Sequence, residues 1–132
     1  MSGRTQIKAD SAPSPIAPYS QAIVAGGLVY TAGQIGLDPA TGEMVADDVR
    51  AQAEQVMQNL AAVLGAAGSG WADVLKVTVY LVDMSNGRMI NELFERDLPK
   101  PYPARTTVAV SALPRGALVE IECVAQVGAG AD

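Results

Sequence analysis

Residues 117–127, Ala-Leu-Val-Glu-Ile-Glu-Cys-Val-Ala-Gln-Val, alternate as an extended strand does. Val119, Ile121, Cys123, Ala125 and Val127 fall on one side, with Glu120, Glu122 and Gln126 on the other, because successive side chains of a strand point to opposite faces. The first side is a core face. Cys123 therefore points inward, where a thiol without a basic neighbour stays protonated and inert. The second side is mixed, since Leu118 and Val124 share it with the two glutamates.

Working outward, a second period-two run occupies Val74 to Val82, with Val77, Val79 and Leu81 on one face and Lys76, Thr78 and Tyr80 on the other. Arg105 to Val110 reads as a further strand, reached through the link Pro99 to Pro103 and joined to the last strand through Ser111 to Gly116. Near the start, Gln21 to Ala25 and Leu28 to Ala32 are short apolar runs. Gly26-Gly27 between them permits the positive φ values of a hairpin turn. Asp38 to Gly42 is a second turn, with Pro39 pre-setting φ.

Two segments have helical spacing. From Asp48 to Gly68, Val49, Ala53, Val56, Met57, Leu60, Val63 and Leu64 recur every three or four residues. Asp47 or Asp48 caps the start, and Gly68 ends the helix in a left-handed conformation. Ser85 reads as the cap of a shorter helix, with Met84 and Met89 spaced as a hydrophobic staple and Ile90, Leu93 and Phe94 turned inward. Residues 1–16, rich in Pro, Ser and Ala, read as a largely irregular lead-in that ends by Pro18.

These elements predict a single α+β domain over 1–132, a sheet of five or six strands with two helices on one face. The other face carries Leu118, Val124 and Tyr80 beside its charges, and no third helix is available to cover it. Association with copies of the same chain follows.

Composition narrows the function. With 49% apolar and 17% charged residues the chain is globular. Nine Lys and Arg against fourteen Asp and Glu give a net charge of -5. The nearest approaches to a basic cluster, Arg4 with Lys8 and Arg96 with Lys100, are too sparse to track a phosphate backbone, so no nucleic acid is expected. No run of apolar residues is long enough to span a membrane, and the N-terminus lacks the apolar centre of a signal peptide, which predicts a cytoplasmic protein. There is no histidine, and Cys123 is the single cysteine, so an internal disulfide, the usual zinc sites and the Ser-His and Cys-His nucleophile pairs are all out of reach. Chemistry is left to carboxylates, Tyr, Arg, Lys, hydroxyls and backbone amides.

If the last two strands pair as a hairpin centred near Leu113 and Pro114, Arg105 lies across from Glu122, and Thr107 across from Glu120. Arg105 and Glu120 are then diagonal neighbours, about 7 to 8 Å apart, and can flank one small ligand. The Arg fork would hold a carboxylate and the Glu would orient or deprotonate a water. The alternative is a plain Arg105–Glu122 ion pair at the sheet rim.

Five segments carry a resemblance: IAPYSQAI from Ile16, YTAGQIGLDPATGE from Tyr30, VRAQAEQVMQNLAAVLGAAG from Val49, DVLKVTVYLVDM from Asp73 and PARTTVAVSALPRGALVEIE from Pro103. From about Ala17 to Val127 the chain resembles the reactive intermediate deaminase (Rid) family, formerly YjgF. The resemblance implies a six-stranded mixed sheet with two helices on one face, chorismate-mutase-like, closed as a homotrimer with three ligand clefts between subunits. It also implies cytoplasmic hydrolysis of 2-iminobutanoate, 2-iminopropanoate or their enamine tautomers to 2-keto acids and ammonia, with no metal, no organic cofactor and no membrane partner.

Carried over by position, Arg105 would bind the substrate carboxylate with backbone support from Gly33. Glu120 would hold the attacking water, and Tyr19 would close the cleft and relay a proton or orient the substrate. Ala32 and Thr107 would line the pocket where the family often carries serine and cysteine. The segment Ser85 to Pro103 is shorter than is usual in the family. Two other functions stand beside this one: a non-catalytic small-carboxylate sensor using the same Arg105 site, and a single-strand ribonuclease or translation inhibitor, against which the acidic charge and the single Phe speak.

Overall fold

The alternating run at the end of the chain becomes the strand around which the sheet is arranged. The computed structural model describes residues 3–128. In chain order the elements are β1 (Thr5–Ile7), β2 (Ala22–Ala25), β3 (Leu28–Thr31), α1 (Val49–Ala66), β4 (Val74–Leu81), α2 (Gly87–Asp97), β5 (Ala104–Ala109) and β6 (Val119–Gln126). They form one sheet in the order β1-β2-β3-β6-β4-β5. Only β4 and β5 run parallel.

Local chemistry accounts for most of these elements. Gly26 and Gly27, at φ 58 and 77, make the tight turn between β2 and β3. Asp48 caps α1 by accepting the Ala51 N–H at 2.8 Å. Beyond its end Gly68 takes φ 74. Val56, Leu60, Val63 and Leu64 of α1 and Ile90 and Leu93 of α2 are buried with Val77, Val79, Val119 and Ile121 of the sheet. Truncating one such Leu to Ala costs about 2–5 kcal/mol, so this layer holds the fold.

Buried polar side chains then fix the irregular segments. Gln21 accepts the Ala9 N–H at 2.7 Å and donates to the Pro13 carbonyl at 2.8 Å, which anchors the lead-in. Gln52 donates to the Ala46 carbonyl and accepts the Leu118 N–H, and Asn59 donates to the Leu37 carbonyl at 3.0 Å. The loop after β3 is thereby tied down on α1.

Three sequence expectations change. The lead-in contains β1, whose three residues pair with β2 and are too few to show a period. The turn before α2 is capped by Asp83, which accepts the Ser85 N–H at 2.9 Å, and α2 itself begins at Gly87; Met84 stays half-exposed while Met89 packs on the core. Above all, β5 and β6 do not form a hairpin. The segment containing α2 is long enough to be a crossover, so β5 returns parallel to β4, and β6, with its uninterrupted apolar face, takes the central place between β3 and β4.

Both helices cover the same face. On the other, Tyr30 and Val108 are exposed and Tyr80, Val124 and Glu120 are partly so. No helix among the described residues is long and apolar enough to cross a membrane.

Candidate functional site

Glu120 points away from the helices, because its neighbours Val119 and Ile121 point toward them. Beside it, Gln34 exchanges backbone hydrogen bonds with Ile121, at 2.9 and 3.2 Å. That bridge lays Ala32, Gly33 and Gln34 along the central strand. The Glu120 carboxylate rests on Gly33 so closely that a Cβ added there would lie 2.8 Å from its Cδ. Glycine is what the close approach demands.

Tyr19, Ala32, Gly33 and Glu120 all line one cavity of about 730 Å³. Four of the sequence-predicted residues thus meet. Tyr19 is 53% exposed at its mouth. Burial raises the Glu120 pKa above the ordinary carboxylate value, and the nearby Glu122 charge raises it further. A carboxylate in that state is a better proton acceptor than one in water. Tyr80, directly across on β4, is pushed up by burial, by the charge of Glu122 and a hydrogen bond to it, and by the charge of Glu120.

Arg105 is elsewhere. It is in register with Val77, a core residue, and so projects on the helix side of the edge strand β5. Its Nε donates to Thr107 Oγ1 at 2.9 Å and its Nη2 to Asn91 Oδ1 at 2.6 Å, with the guanidinium 5.4 Å from the Phe94 ring centroid. The fork is held from one side, which leaves the Nη1 edge to a ligand carboxylate.

The expected diagonal pair of Arg105 and Glu120 is therefore corrected, as is the rim ion pair with Glu122. Strand β4 separates β5 from β6, and the two side chains lie on opposite faces. Thr107 likewise belongs with Arg105 and not with Glu120. Among the described residues Arg105 has no carboxylate partner.

Asn91, Phe94 and Arg115 escaped the sequence reading as site residues. Asn91 follows the inward Ile90 on α2 with no pattern of its own, and only the parallel return of β5 brings Arg105 to it. Arg115 also lines the Glu120 cavity. Cys123 faces the core, and burial pushes its pKa up to about 11. Among the described residues no three His, Cys, Asp or Glu side chains gather in a way that could hold a metal ion.

The family model described as Endoribonuclease L-PSP matches residues 9–127. The chain belongs to this family, the YjgF/Rid family. A RutC family protein of Pyrococcus horikoshii is 49% identical over 116 residues, 88% of this chain and 92% of that protein. The human protein named 2-iminobutanoate/2-iminopropanoate deaminase is 39% identical over 122 residues, 92% of this chain and 89% of its own length. The crystal structure of RidA from an Antarctic Psychrobacter superposes with a TM-score of 0.89 at 45% identity, covering 92% of this chain and 98% of that one. The six-stranded mixed sheet with two helices is the Rid fold.

Proposed function

We propose that this Rid protein is a deaminase that hydrolyses 2-imino acids, 2-iminobutanoate and 2-iminopropanoate foremost, to 2-keto acids and ammonia. Each cleft is built from two chains of a homotrimer. The observation that carries this reading is the division of the site. One chain presents a basic carboxylate over a glycine on its open face and a braced guanidinium on the other side of its edge strand, and neither half suffices alone. The deaminase name of the human relative supports the chemistry.

In this scheme Arg105 of one subunit holds the substrate carboxylate through its Nη1 edge, and the imine carbon lies over Gly33 of the next. Glu120 takes a proton from water as the water oxygen bonds to C2 and the C=N electron pair moves to nitrogen, and it passes that proton, directly or through Tyr19, to the nitrogen to give the carbinolamine. On collapse Glu120 accepts the carbinolamine hydroxyl proton, the C–N bond breaks, and the nitrogen takes that proton by the same route and departs as ammonia. Positioning and charge matching supply most of the acceleration, since imines hydrolyse readily. Ala32 and Thr107 shape the two halves, Thr107 by accepting from Arg105. The acidic chain offers no charge-matched track for an RNA backbone.

The test is ammonia and keto acid release from imines generated in place by an amino acid oxidase. Arg105→Ala and Glu120→Gln should each lose most of the activity, and co-expression of the two should restore about a quarter of the clefts in a closed ring of randomly mixed subunits. Light scattering should give three chain masses. Mixed subunits that stay inactive, or a stable monomer that turns over, would refute the shared cleft.

A further inference from the structure

The cavity around Glu120 is larger than a three- or four-carbon imino acid requires. At about 730 Å³ it is in the range that holds drug-sized ligands, about 300–1,000 Å³. Its wall includes Leu37, Pro39 and Pro114, which suits an apolar substrate side chain. That wall is made from two turns distant in sequence, residues 38–42 and 114–116.

Arg115 joins them. It is the only described residue other than glycine with a positive φ, at 57, and Gly116 follows at 69. From that left-handed position its Nη1 donates to the Gly42 carbonyl at 2.8 Å, and its Nη2 lies 3.9 Å from the exposed Glu43 carboxylate. The 38–42 turn is closed on itself, because the Gly42 N–H donates to the Asp38 carbonyl and the Asp38 N–H to that of Glu43, both at 2.8 Å. It is therefore braced as one unit. Asn59 and the Val45 to Gly36 bond hold its base, and Arg115 holds its tip. A non-glycine residue adopts this backbone only where the surroundings enforce it, which marks the contact as a built feature.

We infer that Arg115 is a positioning residue which pins the 38–42 turn as the outer end of the cleft and so selects 2-imino acids by the size of their side chain. The inference rests on the deaminase reading and adds a side-chain preference to it. The pinned wall, with Leu37, Pro39 and Pro114, gives a bulky apolar side chain a fixed surface to pack on, which a small aliphatic one leaves largely uncontacted.

Three variants test this on the intact protein. Arg115→Gly removes the side chain while suiting the left-handed backbone, so it folds at least as well as the parent. Arg115→Met keeps the stem without the donor. Arg115→Lys can still donate a single N–H to a single carbonyl. In the first two, the ratio of kcat/KM for the phenylalanine-derived imine to that for the alanine-derived imine should fall about tenfold, through a raised KM for the larger substrate. Arg115→Lys should keep the parent ratio, and Glu43→Gln should leave it and the basal rate unchanged. Amide exchange over 38–42 should accelerate in the Gly and Met variants alone. An unchanged ratio in those two, or an equal fall for both substrates, would overturn the inference. If the parent releases ammonia from neither imine, the deaminase reading fails separately, and the side-chain preference is read from calorimetric binding of pyruvate and phenylpyruvate. Their affinity ratio must then shift in the same direction; a shift supports the pinned wall, and no shift or no binding rejects it.

Discussion

Glu120 and Arg105 are held in place by opposite means. Glu120 sits on the central strand, and its surroundings are mostly backbone: the Gln34–Ile121 bridge, the bare Cα of Gly33 and the β4 register beside it. Arg105 sits on an edge strand and is aimed by side chains, Asn91, Thr107 and Phe94. The first half should therefore be most sensitive to an added atom at Gly33, and the second to the loss of a partner of Arg105. In the proposed cleft, a backbone-fixed side that would hold the water meets a side-chain-aimed side that would hold the carboxylate.

The difference can be broken most severely at the side-chain-aimed half. Arg105→Ala should lower kcat/KM by the equivalent of about 2–5 kcal/mol, the usual loss when one partner of a desolvated charge pair is removed. Arg105→Lys should fail nearly as badly, since a single ammonium cannot offer the planar two-point contact. Steady-state kinetics with the oligomer verified by light scattering checks both. A parent-like Arg105→Ala would end the assignment.

Next comes Gly33→Ala at the backbone-fixed half. The new methyl must displace the Glu120 carboxyl, and a shift of about 1 Å in a catalytic group costs roughly a hundredfold in rate. The expected signature is a fall in kcat with 2-keto acid binding largely kept. Ala32→Gly, one residue away, should by comparison be mild.

Asn91→Ala should cost less, about tenfold, through a raised KM, because Arg105 keeps its charge and its bond to Thr107 but loses its shortest brace. Calorimetric binding of a 2-keto acid should weaken in parallel. Loss of kcat with unchanged binding would instead place Asn91 in the chemical step.

The smallest effect concerns stability. Glu120 has a folded-state pKa above its unfolded value, so its penalty is absent at low pH, appears as the pH rises through the ordinary carboxylate range and is complete above the folded pKa. Glu120→Gln should therefore melt above the parent at neutral pH, with the gap closing as the pH is lowered into that range. Thermal melts across the range measure this, and a constant gap would show that the glutamine acts through packing.

The strands, the two helices and the glycine turn were legible because each is written in a local period. The α1 stripe, the β6 alternation and Gly26-Gly27 needed no partner to be read. Pairing was not legible. Ser111 to Gly116, with a Pro and a Gly, looks like a hairpin link, whereas the partner of β5 is fixed by the crossover through α2 and by the competition of β3 and β4 for the apolar strand β6. The same long-range choice decided the site. Tyr19, Ala32, Gly33 and Glu120 line one cavity, whereas Arg105 and Thr107, which a β5–β6 hairpin would set across from Glu122 and Glu120, lie on the other face of the sheet. The one local trace of Arg115 is its place between Pro114 and Gly116, two residue types that favour turns.

The position of Cys123 has a consequence for durability. The residues lining the Glu120 cavity include no lysine and no cysteine, and the sole thiol of the chain lies against the core with its proton retained. Under the proposed deamination, an electrophilic imine or its enamine would meet carboxylate, phenol, guanidinium and amide groups there, none of which competes as an amine or thiolate would for a lasting adduct. The proposed reaction would thus run in a pocket whose described lining offers no amine or thiolate to alkylate. For the same reason thiol reagents and peroxide should leave it working long after they have silenced enzymes that rely on an exposed cysteine.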